Sequence, residues 1–316
     1  MADPDNTAAA IAIGRNQADE ILALRKAARA RRAAALATRA ETIRFTVQAA
    51  TKTGAMAAAV SHLTAGFLVA AGDSWFDYPF HDVLKLLEDN YGYNVESAAH
   101  RGDPIEAMAY QGGQLDKLAR GLEKIAAQGA KPIAVLLSGG GDDIAGAEFG
   151  MLLNNATSAI GGWNSEIVDG LLKQRILTAY KSMLGAITHL CEQYLGQSLP
   201  ILVHGYDYPV PDGRGFWGGW PFPGPWLQPG FREKLFTDLP KNVALMRDII
   251  DRFNAMLAAL VQLPDFRGVR YLDLRGTLSN DLTGNAYQQS WDNELHPTAQ
   301  GFSQIAGKFA SVLNQL

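Results

Sequence analysis

The sequence has a single cysteine, Cys191, and so cannot form an intrachain disulfide. Its setting in an apolar helical stretch, Leu190-Cys191-Glu192, marks it as a small core residue. No run of about 18 uncharged apolar residues occurs, so a transmembrane span is not expected. The opening residues Met-Ala-Asp-Pro-Asp lack the basic and apolar regions of a secretion signal, which points to a cytoplasmic protein. A net charge of -4 and a pI near 5.9 leave no basic field to gather nucleic acid. No Gly-x-x-x-x-Gly-Lys-Ser/Thr or Gly-x-Gly-x-x-Gly follows an apolar strand, and no His, Cys and Asp recur at metal-site spacing. Neither a metal nor a cofactor is expected.

What is present suits a globular protein: 47% hydrophobic and 19% charged residues in a chain of 316 are enough for a sizeable core in one large or two small domains. Residues 1–60 hold nine Lys or Arg against five Asp or Glu, so this segment is basic while the remainder carries -8. From Asn6 to Leu63 the chain is rich in Ala, Arg, Thr and Gln, a helix-forming composition. Leu36, Ala40, Ile43 and Val47 recur on one face, with Arg31, Arg32, Arg39 and Arg44 largely elsewhere. Residues 1–63 therefore read as a helical extension of a domain spanning 64–316. Three placements stand open for it: packed on the main domain or on another subunit as in a homo-oligomer, laid on an anionic surface, or a partly disordered tail.

Beyond Gly66, short apolar runs at Phe67–Ala71, Asn94–Ala98, Ile133–Leu137, Ile201–His204 and Val269–Leu274 read as buried strands. Helical segments at His81–Asn90, Gly113–Gln128, Glu166–Leu195, Asn242–Val261 and Thr298–Asn314 alternate with them. That alternation predicts a parallel sheet covered on both faces. Asp207–Phe231 breaks the rhythm with Pro, Gly, Phe216, Trp217, Trp220, Phe222 and Trp226, and reads as a lid or pocket wall.

Reactive groups in such sheets collect at the carboxyl ends of the strands. There the sequence places Gly72-Asp73-Ser74-Trp75, then His100-Arg101-Gly102-Asp103, then Gly139-Gly140-Gly141-Asp142-Asp143, and His204-Gly205-Tyr206-Asp207. Trp291-Asp292-Asn293-Glu294-Leu295-His296-Pro297 precedes the last helix. A serine at a tight strand-to-helix turn is exposed, and its N–H lies where negative charge is stabilised.

Over about residues 66–316 these blocks, in this order, resemble the SGNH or GDSL hydrolase family. The resemblance implies a three-layer αβα sandwich with a flavodoxin-like, mostly five-stranded parallel sheet. It implies Ser74 as nucleophile, His296 as general base, and the Ser74 and Gly102 N–H groups as an oxyanion hole. The family's oxyanion-hole asparagine is Asp142 here, and its triad acid is Asn293. A charged Asp142 repels an oxyanion, so either it is neutral, with Asp143 raising its pKa, or the two N–H groups suffice. An amide at 293 threatens the wrong histidine tautomer, a fault that lowers kcat by about 10⁴ in serine proteases. A flanking acid, Asp292 or Glu294, is the expected substitute, and a Ser-His dyad oriented by the Asn293 oxygen or a backbone carbonyl is the other option. On this reading Asn293→Asp leaves activity unchanged or raises it.

The implied activity is carboxylic ester hydrolysis, with thioesterase, lysophospholipase and carbohydrate acetylesterase as readings on the same chemistry and a small-molecule or lipid-like acyl ester as partner. A ligand-binding protein on the same scaffold is the alternative from another class. Trp75, His81, Trp217, Trp220 and Trp226 are candidate substrate contacts. His100 and His204, at strand ends, compete between pocket and plain structural roles, while His62 and His189 read as ordinary helix residues.

Overall fold

A computed structural model describes residues 4–43 and 64–316, with side chains for 6–34 and 64–316. Five strands form one parallel sheet: β1 (Gly66–Ala71), β2 (Tyr93–Ser97), β3 (Pro132–Leu137), β4 (Ile201–His204) and β5 (Val269–Leu272), in the spatial order β2-β1-β3-β4-β5. This is the flavodoxin-like, doubly wound order, whose switch point lies between β1 and β3. Leu68, Val69, Ala70 and Ala71 of β1 are fully buried, as are Ala134–Leu137 of β3. Continuous apolar runs are what a strand covered on both faces requires.

The layers come from helices α2 (Val83–Tyr91), α3 (Ile105–Tyr110), α4 (Gly113–Ala127), α5 (Leu177–Leu195), α6 (Leu239–Leu260) and α7 (Ala299–Leu313). One group pairs α2 with α7; the other pairs α4, α3 and α6 with α5. The expected helix from His81 begins at Val83 because Asp82 caps it, its carboxylate accepting from Lys85 N at 2.8 Å. The expected Glu166–Leu195 helix is interrupted: Ser165–Asp169 is α-helical, Gly170–Ile176 is a π-helical stretch, and α5 follows. Helix α3 was absent from the expectations because its N-terminus is capped from afar: Ile105 N donates to Asp143 Oδ2 at 2.7 Å. Strands β2 and β5 end at Ser97 and Leu272, one and two residues before the expected ends.

The N-terminal helix α1 (Pro4–Ile43) lies over α5 and α4 as a further layer. Ala10, Ala18 and Ile21 are buried there. A Cβ on Gly14 would sit 1.9 Å from the carbonyl oxygen of Ser182, so the glycine permits the close approach of the two helices. Polar ties reinforce it: Arg25 Nη2 reaches Glu123 at 2.6 Å, and His189 Nε2 lies 2.7 Å from Asp19. His189, read as an ordinary helix residue, thus joins two helices. The side chains of Leu36, Arg39, Ala40 and Ile43, together with Arg44, Val47 and His62, lie outside the described residues.

Candidate active site

At the carboxyl end of β1 the chain turns sharply because Asp73 organises it. Its Oδ1 accepts from Trp75 N at 3.0 Å and from Ser138 Oγ at 2.7 Å, its backbone carbonyl accepts from Phe76 N at 3.1 Å, and Oδ2 accepts from the Tyr206 hydroxyl. One buried carboxylate thereby joins the ends of β1, β3 and β4. The turn leaves Ser74 partly exposed. The expected strand-to-helix turn is corrected: residues 74–76 form a turn, and α2 begins only at Val83. Asp73 bonds to the backbone two residues on, which favours a turn over direct helix entry.

Ser74 meets His296 across the sheet edge, with His296 Nε2 2.8 Å from Ser74 Oγ. The other ring nitrogen, Nδ1, lies 2.9 Å from Asn293 Oδ1. That oxygen also accepts from the backbone N–H groups of Leu295 and His296 at 3.1 and 3.0 Å. The Asn293 amide nitrogen donates to the Tyr78 hydroxyl at 2.9 Å and to Asp292 Oδ2 at 3.3 Å. Since two backbone donors demand an acceptor, the amide orientation is determined, and Nδ1 of His296 carries the proton. Nε2 is then free to accept from Ser74.

This corrects the expectation of a flanking acid. Asp292 points behind Asn293 and accepts from the Tyr78 hydroxyl at 3.0 Å. Glu294, fully buried, turns away and accepts from the N–H groups of Gly213, Trp226, Leu227 and Gln228 at 2.6 to 3.0 Å. Their partners on distant segments, Tyr78 for Asp292 and the 213–228 backbone for Glu294, hold both flanking side chains away from the ring. His296 is enclosed: Tyr78 stacks on it with ring centroids 4.3 Å apart, and Trp226 meets it edge-on at 5.4 Å. Burial pushes its pKa down to about 3, so the resting imidazole is neutral. Tyr78 escaped the sequence reading; its one signal was an aromatic four residues beyond Ser74, which core tyrosines also supply.

A cavity of about 360 Å³ opens over the pair, lined by Ser74, Tyr78, Gly102, Asp142, Trp226 and His296 among others. Gly102 has φ 82°, a conformation that favours glycine, with open space where a Cβ would stand. Asp142 borders the same cavity. Burial, with Asp73, Asp143 and Asp103 nearby, pushes its pKa up to about 8. Asp143 is itself pushed up to about 6, chiefly by burial, while the Ile105 and Glu106 N–H groups pull it down.

The remaining candidates separate. Trp226 and Phe216 line the cavity. Trp217 and Trp220 are 65% and 94% exposed and stand outside it, Trp217 stacked on Phe80 and Phe216. His81 is exposed and does not line the cavity, and His100 pairs with Asp103 at 2.9 Å. Trp75 is buried, its indole N–H donating to Leu295 O at 3.1 Å so that it steadies the histidine loop, and it borders a second, smaller cavity at Ser74. His204 is fully buried beside Trp75, a packing residue whose pKa burial lowers.

Ser74 thus faces the His296 imidazole at the carboxyl edge of a sheet ordered β2-β1-β3-β4-β5. No protein-family model matches the chain, and no curated protein matches it. Among solved structures it is similar to an alpha/beta hydrolase enzyme from the metagenome of Lake Arreo, Spain (13% identity, 79% of this chain and 96% of that one, TM-score 0.41). It is similar also to a catalytic mutant of an acetylxylan esterase from Geobacillus stearothermophilus (14%, 79% and 94%, TM-score 0.40). A third is a protein described as a GDSL-like lipase from Parabacteroides merdae (13%, 79% and 97%, TM-score 0.38).

Proposed function

We propose that this chain is a carboxylic ester hydrolase working through an acyl-enzyme on Ser74. The observation that carries the reading is the 2.8 Å contact between Ser74 Oγ and His296 Nε2, with Nδ1 held protonated by Asn293. Ser74 Oγ attacks the ester carbonyl while His296 Nε2 takes its proton. The carbonyl oxygen becomes an anion facing the Ser74 and Gly102 N–H groups, with the neutral carboxyl of Asp142 as a third donor. The carbon–oxygen bond to the alcohol breaks, and the imidazolium returns its proton to the departing oxygen. Water then attacks the acyl-serine, His296 takes a proton from it, and Ser74 leaves with that proton. An amide oxygen at Nδ1 keeps the productive tautomer, so the wrong-tautomer penalty does not apply.

The test is covalent. A fluorophosphonate should label the wild-type protein at Ser74, and Ser74→Ala should lose both the label and more than about nine-tenths of the hydrolysis of p-nitrophenyl acetate. Failure of the folded wild-type protein to react with either reagent overturns the reading in favour of a ligand-binding protein on this scaffold.

A further inference from the structure

We infer that this active site selects short acyl groups, of about two to four carbons, through a small, mainly apolar cavity beside Ser74; the inference rests on the reading of Ser74 as nucleophile. Two cavities meet at Ser74, Asp142 and Leu295. The outer one, of about 360 Å³, is lined by His296 and Gly102. The inner one, of about 50 Å³, is lined by neither.

Chemistry assigns the two halves of an ester to these spaces. The departing alcohol oxygen must be protonated by His296 Nε2, so the alcohol portion occupies the cavity that His296 lines. Once the carbonyl carbon is bonded to Ser74 Oγ and its oxygen faces Gly102, the acyl substituent is directed to the other side, into the inner cavity. Its walls are mainly apolar, with Trp75, Ile144, Leu227, Met246, Ile250 and Trp291, and Asp73, Asp142 and Asp207 also border it. They are also firm. Trp75 and Trp291 are 3% and 1% exposed, and the Trp75 indole is tied to Leu295 O at 3.1 Å. A single water needs roughly 10–15 Å³ of such space, so the inner cavity takes on the order of three to five atoms of that size. Acetyl to butyryl fits; longer chains must displace packed side chains.

The test is kcat/KM for the p-nitrophenyl acetate, propionate, butyrate, hexanoate and octanoate series, with the full-length protein. The optimum is expected within acetate to butyrate, with a fall of at least about tenfold at octanoate. Ile250→Ala enlarges the inner cavity and should move the optimum toward hexanoate; Ile250→Val, a gentler change, should move it the same way by less. Octanoate turned over as well as butyrate overturns the inference and leaves the hydrolase reading standing. So does a short-chain optimum that neither folded Ile250 variant shifts. No turnover of any member, with Ser74 unlabelled by fluorophosphonate, overturns both.

Discussion

Asn293 occupies the place where a carboxylate is expected to stabilise the imidazolium, and Asp292 supplies negative charge one bond chain further back, through the Asn293 amide N–H. The two positions are therefore coupled. Asn293→Asp alone removes a donor from Asp292 Oδ2 at 3.3 Å and faces it with a second carboxylate. Of the two outcomes the sequence left open for that variant, unchanged or raised activity, a rise is not expected: its kcat should not rise, and its Tm should fall. Exchanging both, Asp292→Asn with Asn293→Asp, puts the charge on the ring and restores the donor. A hydrogen bond to a charged partner outdoes a neutral one by about 1 kcal/mol, so kcat should rise roughly fivefold. Steady-state kinetics of single and double variants decide it, and equal rates for both would deny the coupling.

Asp142 adds a pH dependence. Its carboxyl is neutral, and able to donate, below about 8 and charged above; His296 is neutral above about 3. The profile of kcat/KM, which reports groups of the free enzyme, should be flat through the mildly acidic range and fall as pH rises through about 8. Asp142→Asn, with an amide that donates at any pH, should abolish the alkaline fall. A profile that keeps rising through pH 8 to 9 in the wild type would remove Asp142 from the oxyanion site.

Among the elements, the segment 291–297 does most to assemble the site. It is closed on itself by Asp292 N donating to His296 O at 2.9 Å, and Glu294 binds four backbone N–H groups of the aromatic segment 207–231. The clasp holds Trp226 against the cavity; of the residues between the clasped ends, Phe216 and Pro223 line it and Trp217 and Trp220 do not. The other decisive element is α1, whose contact with α5 runs through Gly14 and Gly185. We propose that it is an auxiliary layer on a catalytic domain spanning 64–316. Gly14→Val should force α1 away from the Ser182 carbonyl and cost about 1–3 kcal/mol, roughly 2–10 °C in Tm. Ester turnover should persist, since no described residue of α1 lines either cavity at Ser74. Calorimetry and rate assays on the variant check both halves.

For the whole molecule, the sequence alone determined the five strands, their parallel arrangement and the placement of Ser74, Gly102, Asp142 and His296 at strand ends or in the loop before the last helix. Apolar runs alternating with amphipathic segments have few other ways to bury their surface, and turn residues are local signals. Tertiary structure alone decided which partner faces Nδ1 of His296, because the directions of Asp292, Asn293 and Glu294 depend on Tyr78 and on the 207–231 backbone, distant in sequence. It decided that Trp226 lines the cavity, that α3 is capped by Asp143, and that α1 rests on α5. It also decided the protonation of Asp142: a carboxyl's charge follows its burial and its neighbours, and Asp73, Asp103 and Asp143 come together only when three strand ends converge.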